Sequence, residues 1–285
     1  MNILGFLKTF VAVGVVCACI FSSGHSVQAQ TDVDLDPDWG GRISATVDKK
    51  LSRGLHLYLE EEARVDGNFG SFNRLQTTFG ATYKLPAGFK LGLGYALIAP
   101  YSSSNSAFKS VRHRLMLDAS YSYRFGDWQF SLKERLQATY RTGDMNEYQN
   151  PRTALTLKSR LKVQYKGLRR LTPYAYIELR NTLNAPVINA LYNATTNEYM
   201  TESGSISGDA GWFLDGFSGV YINRVRGCLG AEYRLDRCSR LEAYLLLDRV
   251  SDKQVDANAE GTKLKSYTRE QGFIGQICLG YSYSF

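Results

Sequence analysis

Residues 272–285 read GFIGQICLGYSYSF, and their alternation decides the fold class. Phe273, Ile277, Leu279, Tyr281, Tyr283 and Phe285 share one parity, whereas Gln276, Gly280, Ser282 and Ser284 share the other. A period of two marks a strand with one apolar face. An apolar strand with a bare edge invites aggregation in water, so this segment needs a covering layer or a lipid surround.

The upstream sequence decides between these. The same alternation recurs at residues 41–51, 55–65, 72–85, 89–99, 110–125, 128–142, 152–165, 171–184, 219–235, 240–250 and 267–285, eleven strands in all. Short connections (SRG, PAG, GD, KGLRR, DRCS) alternate with long polar ones (DGNFGS, PYSSSNSAFKS, TGDMNEYQNP, residues 184–216, SDKQVDANAEGTK). Gly126-Asp127 is a two-residue hairpin signal, and short turns on one side with long loops on the other is the outer-membrane barrel pattern. Tyr83, Phe89, Phe125, Trp128, Tyr165, Tyr233 and Tyr283 fall on the apolar parity beside the short turns, where an interfacial girdle belongs. A soluble sandwich explains neither the girdle nor the final Phe285. The predicted fold is therefore all-β: a single antiparallel transmembrane β-barrel of about 12 strands (10–12), with short periplasmic turns and long extracellular loops.

The chain has 285 residues, 44% apolar, 21% charged and 13% aromatic, with 19 tyrosines. Lys8, the apolar run TFVAVGVVCACIF and the small-residue end VQA predict a signal peptide over 1–29, so that the mature chain starts at Gln30. No later stretch holds the roughly 18–20 apolar residues of a membrane helix. Residues 30–40 form an acidic segment and 41–285 the barrel. Of the cysteines beyond the signal, Cys228 and Cys278 fall two strands apart, about 9–10 Å, beyond disulfide reach. With Cys238 they are expected to be free thiols.

The ending, with Gly280, Tyr283 and Phe285, resembles the signature by which the barrel-assembly machinery recognises its clients. EEEAR at 60–64, RHRL at 112–115, KSRLKVQY at 158–165 and PYAYIEL at 173–179 resemble an outer-membrane family common in Bacteroidota, domain of unknown function 2490. That resemblance covers about residues 38–285 and implies a fold and a location in the outer-membrane bilayer. It assigns no activity and no functional residues.

If one parity faces lipid, the other lines a lumen, and its charges can be read directly. It carries about a dozen more bases than acids, Arg112, Arg114, Arg135, Lys158, Arg160, Arg224 and Arg226 among them, which would create a strong positive potential. Arginine outnumbers lysine there, which favours carboxylate or phosphate solutes. The leading expectation is a passive channel or binding barrel for small anionic solutes. The competing one is a structural or surface-interaction barrel whose lumen is filled by side chains, with residues 184–216 (Tyr192, Tyr199, Trp212, Phe213) as a partner-binding loop or lid.

Asp32, Asp34, Asp36 and Asp38 alternate, so an extended chain places them on one face. They are expected to meet the lumen arginines, either from a short twelfth strand over 31–37 turning at Pro37–Gly41 or from a thread through the lumen. Of the histidines, His56 reads as a lumen residue near Tyr58 and Glu60, while His113 points to lipid near Ser110. Without GxSxG or a second histidine for a relay, a lipid hydrolase is the weaker reading and no catalytic residue is assigned. Lacking CxxC, HExxH or a calcium loop, the sequence suggests no metal or cofactor. Its pI of about 9.1 does not point to nucleic acid, because the bases line an interior.

Overall fold

The computed structural model describes residues 31–193, 198–199, 210–214, 216–259 and 264–285. The signal peptide expected over 1–29 lies outside the described residues. The first strands are β1 (Thr31–Asp34), β2 (Asp38–Lys50), β3 (Leu55–Asp66), β4 (Ser71–Lys84), β5 (Phe89–Ser102) and β6 (Ala107–Phe108). They are followed by β7 (Arg112–Phe125), β8 (Trp128–Arg141), β9 (Thr153–Tyr165) and β10 (Leu171–Ala185). The chain continues with β11 (Ile188–Asn193), β12 (Glu198–Tyr199), β13 (Ala210–Leu214), β14 (Gly219–Arg234), β15 (Ser239–Ala257) and β16 (Leu264–Ser284).

Eleven of these close a barrel, in the order β2, β3, β4, β5, β7, β8, β9, β10, β14, β15, β16 and back to β2. The shortest, β3, has 12 residues, enough to cross a bilayer at the usual tilt, which takes about 9–11. β15 and β16, at 19 and 21 residues, overhang the wall on the long-loop side. Within the long connection after β10, the described strands β11, β12 and β13 form a separate three-stranded sheet, β12-β11-β13.

The exposed and buried faces follow the sequence parity. Along β16, Phe273, Ile277, Leu279, Tyr281, Tyr283 and Phe285 face outward, while Gln276 and Cys278 are buried inside. An outer wall that stays apolar all round the closed sheet makes this a membrane barrel. The girdle aromatics pair along the short-turn rim: Phe89 lies 4.8 Å from Tyr121, Trp128 5.0 Å from Tyr165 and Tyr283 5.9 Å from Phe285, ring centre to centre. Each outward charge has a companion. Lys49 sits over Phe285 and Arg249 over Phe273; Glu61 accepts from the Thr77 hydroxyl at 3.0 Å and Glu134 from Ser159 at 2.6 Å.

The turns form for local reasons. Gly126 takes φ +58°, the left-handed value a two-residue hairpin between Phe125 and Trp128 requires. Asp236 accepts the backbone N–H groups of Cys238 and Ser239, both at 2.7 Å. Those donors hold its carboxyl below the ordinary aspartate range. This contribution is present above the unfolded-state value and is lost as pH falls through the folded one.

The N-terminus departs from expectation. An odd number of strands leaves first and last running the same way, so the closing seam between β2 and β16 is parallel, from Asp38 beside Ile274 to Asp48 beside Ser284. β1 continues along the same edge of β16, also parallel, from Thr31 beside Thr268 to Asp34 beside Gln271. The expected reversal at Pro37–Gly41 is not made, and the segment does not thread the lumen. Pro37 has no N–H to give the ladder; around it, Asp34 to Asp38 spans only Gln271 to Ile274 on the partner, a one-residue slip. Two glycines of β16 hold the segment in place: a Cβ at Gly272 would meet Leu35, and one at Gly275 would meet the Trp39 ring.

Cysteines placed at Ala45 and Tyr281, neighbours across this seam, should form a disulfide under mild oxidation in a Cys238→Ser background. Cysteines at Ala45 and Phe273 should not, being offset by eight residues, about 27 Å. Gel mobility of the unfolded chain reads the cross-link, and its absence from the first pair would contradict parallel closure.

Candidate functional site: the lumen

Alternation places the inward bases and acids on neighbouring strands at matched heights, and five acids organise the interior. Glu62 takes Arg42 (3.3 Å) and Arg64. Asp118 takes Arg135 through two hydrogen bonds (2.6 and 2.7 Å) and Lys133 at 2.9 Å. Glu178 takes Arg160 and, at 3.6 Å, Arg226. Asp248, 1% exposed, takes Arg226 through two bonds (2.6 and 2.7 Å) and Arg224 at 3.2 Å. Glu232 takes Lys162 from two strands away at 3.2 Å.

A second set of bases has no such partner. Among the described residues, Arg74, Arg114, Lys158 and Arg180 form no ion pair. Arg114 donates only to the Thr139 hydroxyl, at 3.0 Å, and the Nε atoms of Arg74 and Arg180 are buried without an acceptor. Register sets them in a belt: Arg42 faces Arg64 and Arg64 faces Arg74, while Lys158 faces Arg180 and Arg180 faces Arg224. Side chains two strands apart already touch inside the barrel, as Lys162 with Glu232 and Tyr174 with Glu242 do. Like charges crowded in a low-dielectric space oppose folding unless something offsets them.

Among the spaces between the side chains, one at the long-loop end is lined by Arg112 and Arg141, and three others lie toward the short-turn end or deeper. At the short-turn mouth a cavity of about 510 Å³ is lined by Arg124, Lys166, Arg169, Arg170, Arg234 and Arg240, with Glu232 its one carboxylate. Gln129 also lines a second, equally large space bounded by Lys84, Lys90, Lys133, Arg160 and Lys162, with no carboxylate in its wall. Deeper lies a space of about 220 Å³ between β2, β3, β9, β10, β15 and β16. At the opposite end the loop after β8 reaches over to β15: Asn146 donates to the Ala257 and Asn258 carbonyls (3.1 and 2.9 Å) and Gln149 to Asp256 at 2.7 Å.

A family model described as "Protein of unknown function (DUF2490)" matches residues 43–259. The chain belongs to the DUF2490 family. No curated protein matches it. Among solved structures, the NanC porin is similar at 14% identity and TM-score 0.39, over 80% of this chain and 93% of that one. OmpT of Vibrio cholerae is similar at 9% identity and TM-score 0.32, over 75% of this chain and only 60% of that one. An anion-selective porin from Comamonas acidovorans gives 11% identity and TM-score 0.28, over 81% and 84%. At such identities the likeness extends to the fold alone; the barrel itself rests on strand pairing.

Within this DUF2490 barrel the seven bases singled out by sequence divide by role. Arg135, Arg160, Arg224 and Arg226 are tied up in ion pairs, whereas Arg112, Arg114 and Lys158 form none among the described residues. Arg74 and Arg180 join the second group by register, and Lys166, Arg169 and Arg170 line the mouth from a turn that carries no strand parity. The aspartates of the N-terminal segment are not gathered on the arginines. Asp38 instead accepts the backbone N–H groups of Gly67 (3.3 Å) and Asn68 (2.8 Å), where Asn68 takes φ +54°, and Asp32 stands beside Arg269. Asp34 and Asp36 are exposed. The physical reason is the course of the chain, which follows the overhanging part of β16 instead of entering the lumen.

His56 meets Asp48 at 2.9 Å and His113 meets the Tyr95 hydroxyl at 2.6 Å. Cys228, Cys238 and Cys278 are free thiols. Side chains of the aromatic loop residues Tyr192, Tyr199, Trp212 and Phe213 lie outside the described residues. Gly280 proves to line the deep space, a role that the terminal signature alone did not suggest.

Proposed function

We propose that this chain is an integral outer-membrane barrel, exported and freed of its signal peptide, that binds small anionic solutes at its short-turn mouth and passes them slowly. It acts without catalysis. Its insertion relies on the barrel-assembly machinery reading Gly280, Tyr283 and Phe285. The observation that carries the reading is the pair of basic spaces sharing Gln129, whose walls hold eleven bases, three of them (Lys133, Arg160 and Lys162) in ion pairs, and one carboxylate. Such a concentration of charge between low-dielectric walls raises the local anion concentration. The ion-paired interior and the loop crossing the far mouth favour narrow, slow passage over a wide aqueous pore.

Swelling of proteoliposomes separates the possibilities. Succinate should enter at least tenfold faster than erythritol, a neutral solute of similar size, the lower end of electrostatic enhancement. Equal rates, or no swelling in either, would count against the reading. A second reading, a surface-interaction barrel, is favoured by the small sheet β12-β11-β13, which is not paired with the barrel sheet. Deleting residues 188–214 should leave solute entry intact or faster if passage is the function.

A further inference from the structure

The deep space breaks the electrostatic rule of the rest of the lumen. In an interior rich in bases, Glu60 and Glu242 face it with no base at ion-pair distance among the described residues. Glu60 accepts only from Thr46, at 3.4 Å, and Glu242 from the Tyr174 hydroxyl at 2.5 Å. The bases bordering the same space are already engaged. Lys162 lies 3.8 Å from the centre of the Tyr174 ring and binds Glu232; Arg160 lies 4.3 Å from the Tyr176 ring and binds Glu178.

One donor is left over. Arg42, whose side chain is 10% exposed, pairs with Glu62 and donates to Gln276, yet its Nε is buried without an acceptor. Gly280 keeps the space open: a Cβ there would stand 3.3 Å from the Ser44 hydroxyl and 3.5 Å from Glu242. A pure anion entering would meet two uncompensated carboxylates, and a pure cation would meet Arg42, Arg160 and Lys162. Neither is well matched.

We propose that this space is a binding site for a small zwitterion, a solute with an ammonium group for Glu60 and Glu242 and a carboxylate for the Arg42 side. At ~30 Å³ per water molecule it holds roughly seven waters, the size of a short amino acid. The tyrosines Tyr174, Tyr176 and Tyr244 wall it; Tyr174 and Tyr176 already carry Lys162 and Arg160 on their rings, which leaves the Tyr244 ring for the solute's ammonium and stem. The inference rests on solute entry from the basic mouth, which concentrates carboxylates and leaves the deeper site to select those that also carry an amine.

The full mature chain, refolded in detergent and titrated calorimetrically, tests this with 4-aminobutyrate, butyrate and N-acetyl-4-aminobutyrate. 4-Aminobutyrate should bind at least tenfold more tightly than the other two. The double variant E60Q/E242Q should lose that preference while still binding butyrate, and G280A should weaken 4-aminobutyrate binding. Equal affinity for all three would overturn the proposal while leaving anion entry standing, provided that succinate still outpaces erythritol in liposomes. If E60Q/E242Q does not fold, the comparison between 4-aminobutyrate and butyrate on the unaltered protein decides, since butyrate lacks the ammonium group and adds no bulk.

Discussion

Replacing Asp248 with alanine should destabilise the barrel by about 3–5 kcal/mol, the cost of breaking a buried ion pair from one side. Asp248 is 1% exposed and holds two guanidinium groups, Arg226 through paired bonds and Arg224 at 3.2 Å. Without it, both cations stay in a lumen that already sets Arg180 opposite Arg224. Urea titration of the folded fraction, followed by the mobility of unheated samples on gels, measures the loss. Removing charge from both sides, as Asp248→Leu with Arg226→Met, should recover part of it, because one of the two orphaned cations goes and Arg224 stays unpaired. A single-variant effect below about 1 kcal/mol, the level of an exposed pair, would mean that water reaches this network.

The opposite sign is expected for the belt. Changing Arg74, Arg114, Lys158 and Arg180 together to glutamine should leave stability unchanged or raise it, because these bases repel one another and form no ion pair among the described residues. Their shared effect is on the field along the lumen. The anion-to-cation permeability ratio in planar bilayers should fall at least tenfold, the lower end of what a focused field contributes. A stable variant with an unaltered ratio would remove the belt from the account. An unstable one would show that the belt is structural, held by contacts other than ion pairs.

The contrast between these variants shows what sequence could and could not reveal. Eleven strands were legible because each barrel wall has one apolar face and one polar face, and a period of two survives any tilt or twist. Turn chemistry was equally plain: Gly126-Asp127 closes its hairpin as the dipeptide requires. Parity also put Arg114 and Arg226 on the same inner face, but it could not say that one is free and the other locked. That difference depends on register, which sets Arg226 opposite Asp248 and Arg114 opposite Thr139.

The course of residues 31–38 was hidden for another reason. Four alternating aspartates suggested a partner of opposite charge, yet the segment follows a free backbone edge and two glycines, Gly272 and Gly275, that admit Leu35 and Trp39. Backbone pairing outweighed a charge pattern that water can satisfy as well. The mouth cavity was missed because Lys166, Arg169 and Arg170 sit in a connection, where no periodicity marks direction.

The surplus of lumen bases should make the barrel prefer anions, and the reversal potential of the unaltered protein reads that preference. In a planar bilayer separating 0.1 M from 1 M KCl, between which the Debye length falls from about 10 Å to about 3 Å, the potential should take the sign set by chloride. It should shrink as salt rises and the lumen charges are screened. A potential of the potassium sign, or no current at any salt concentration, would contradict the account.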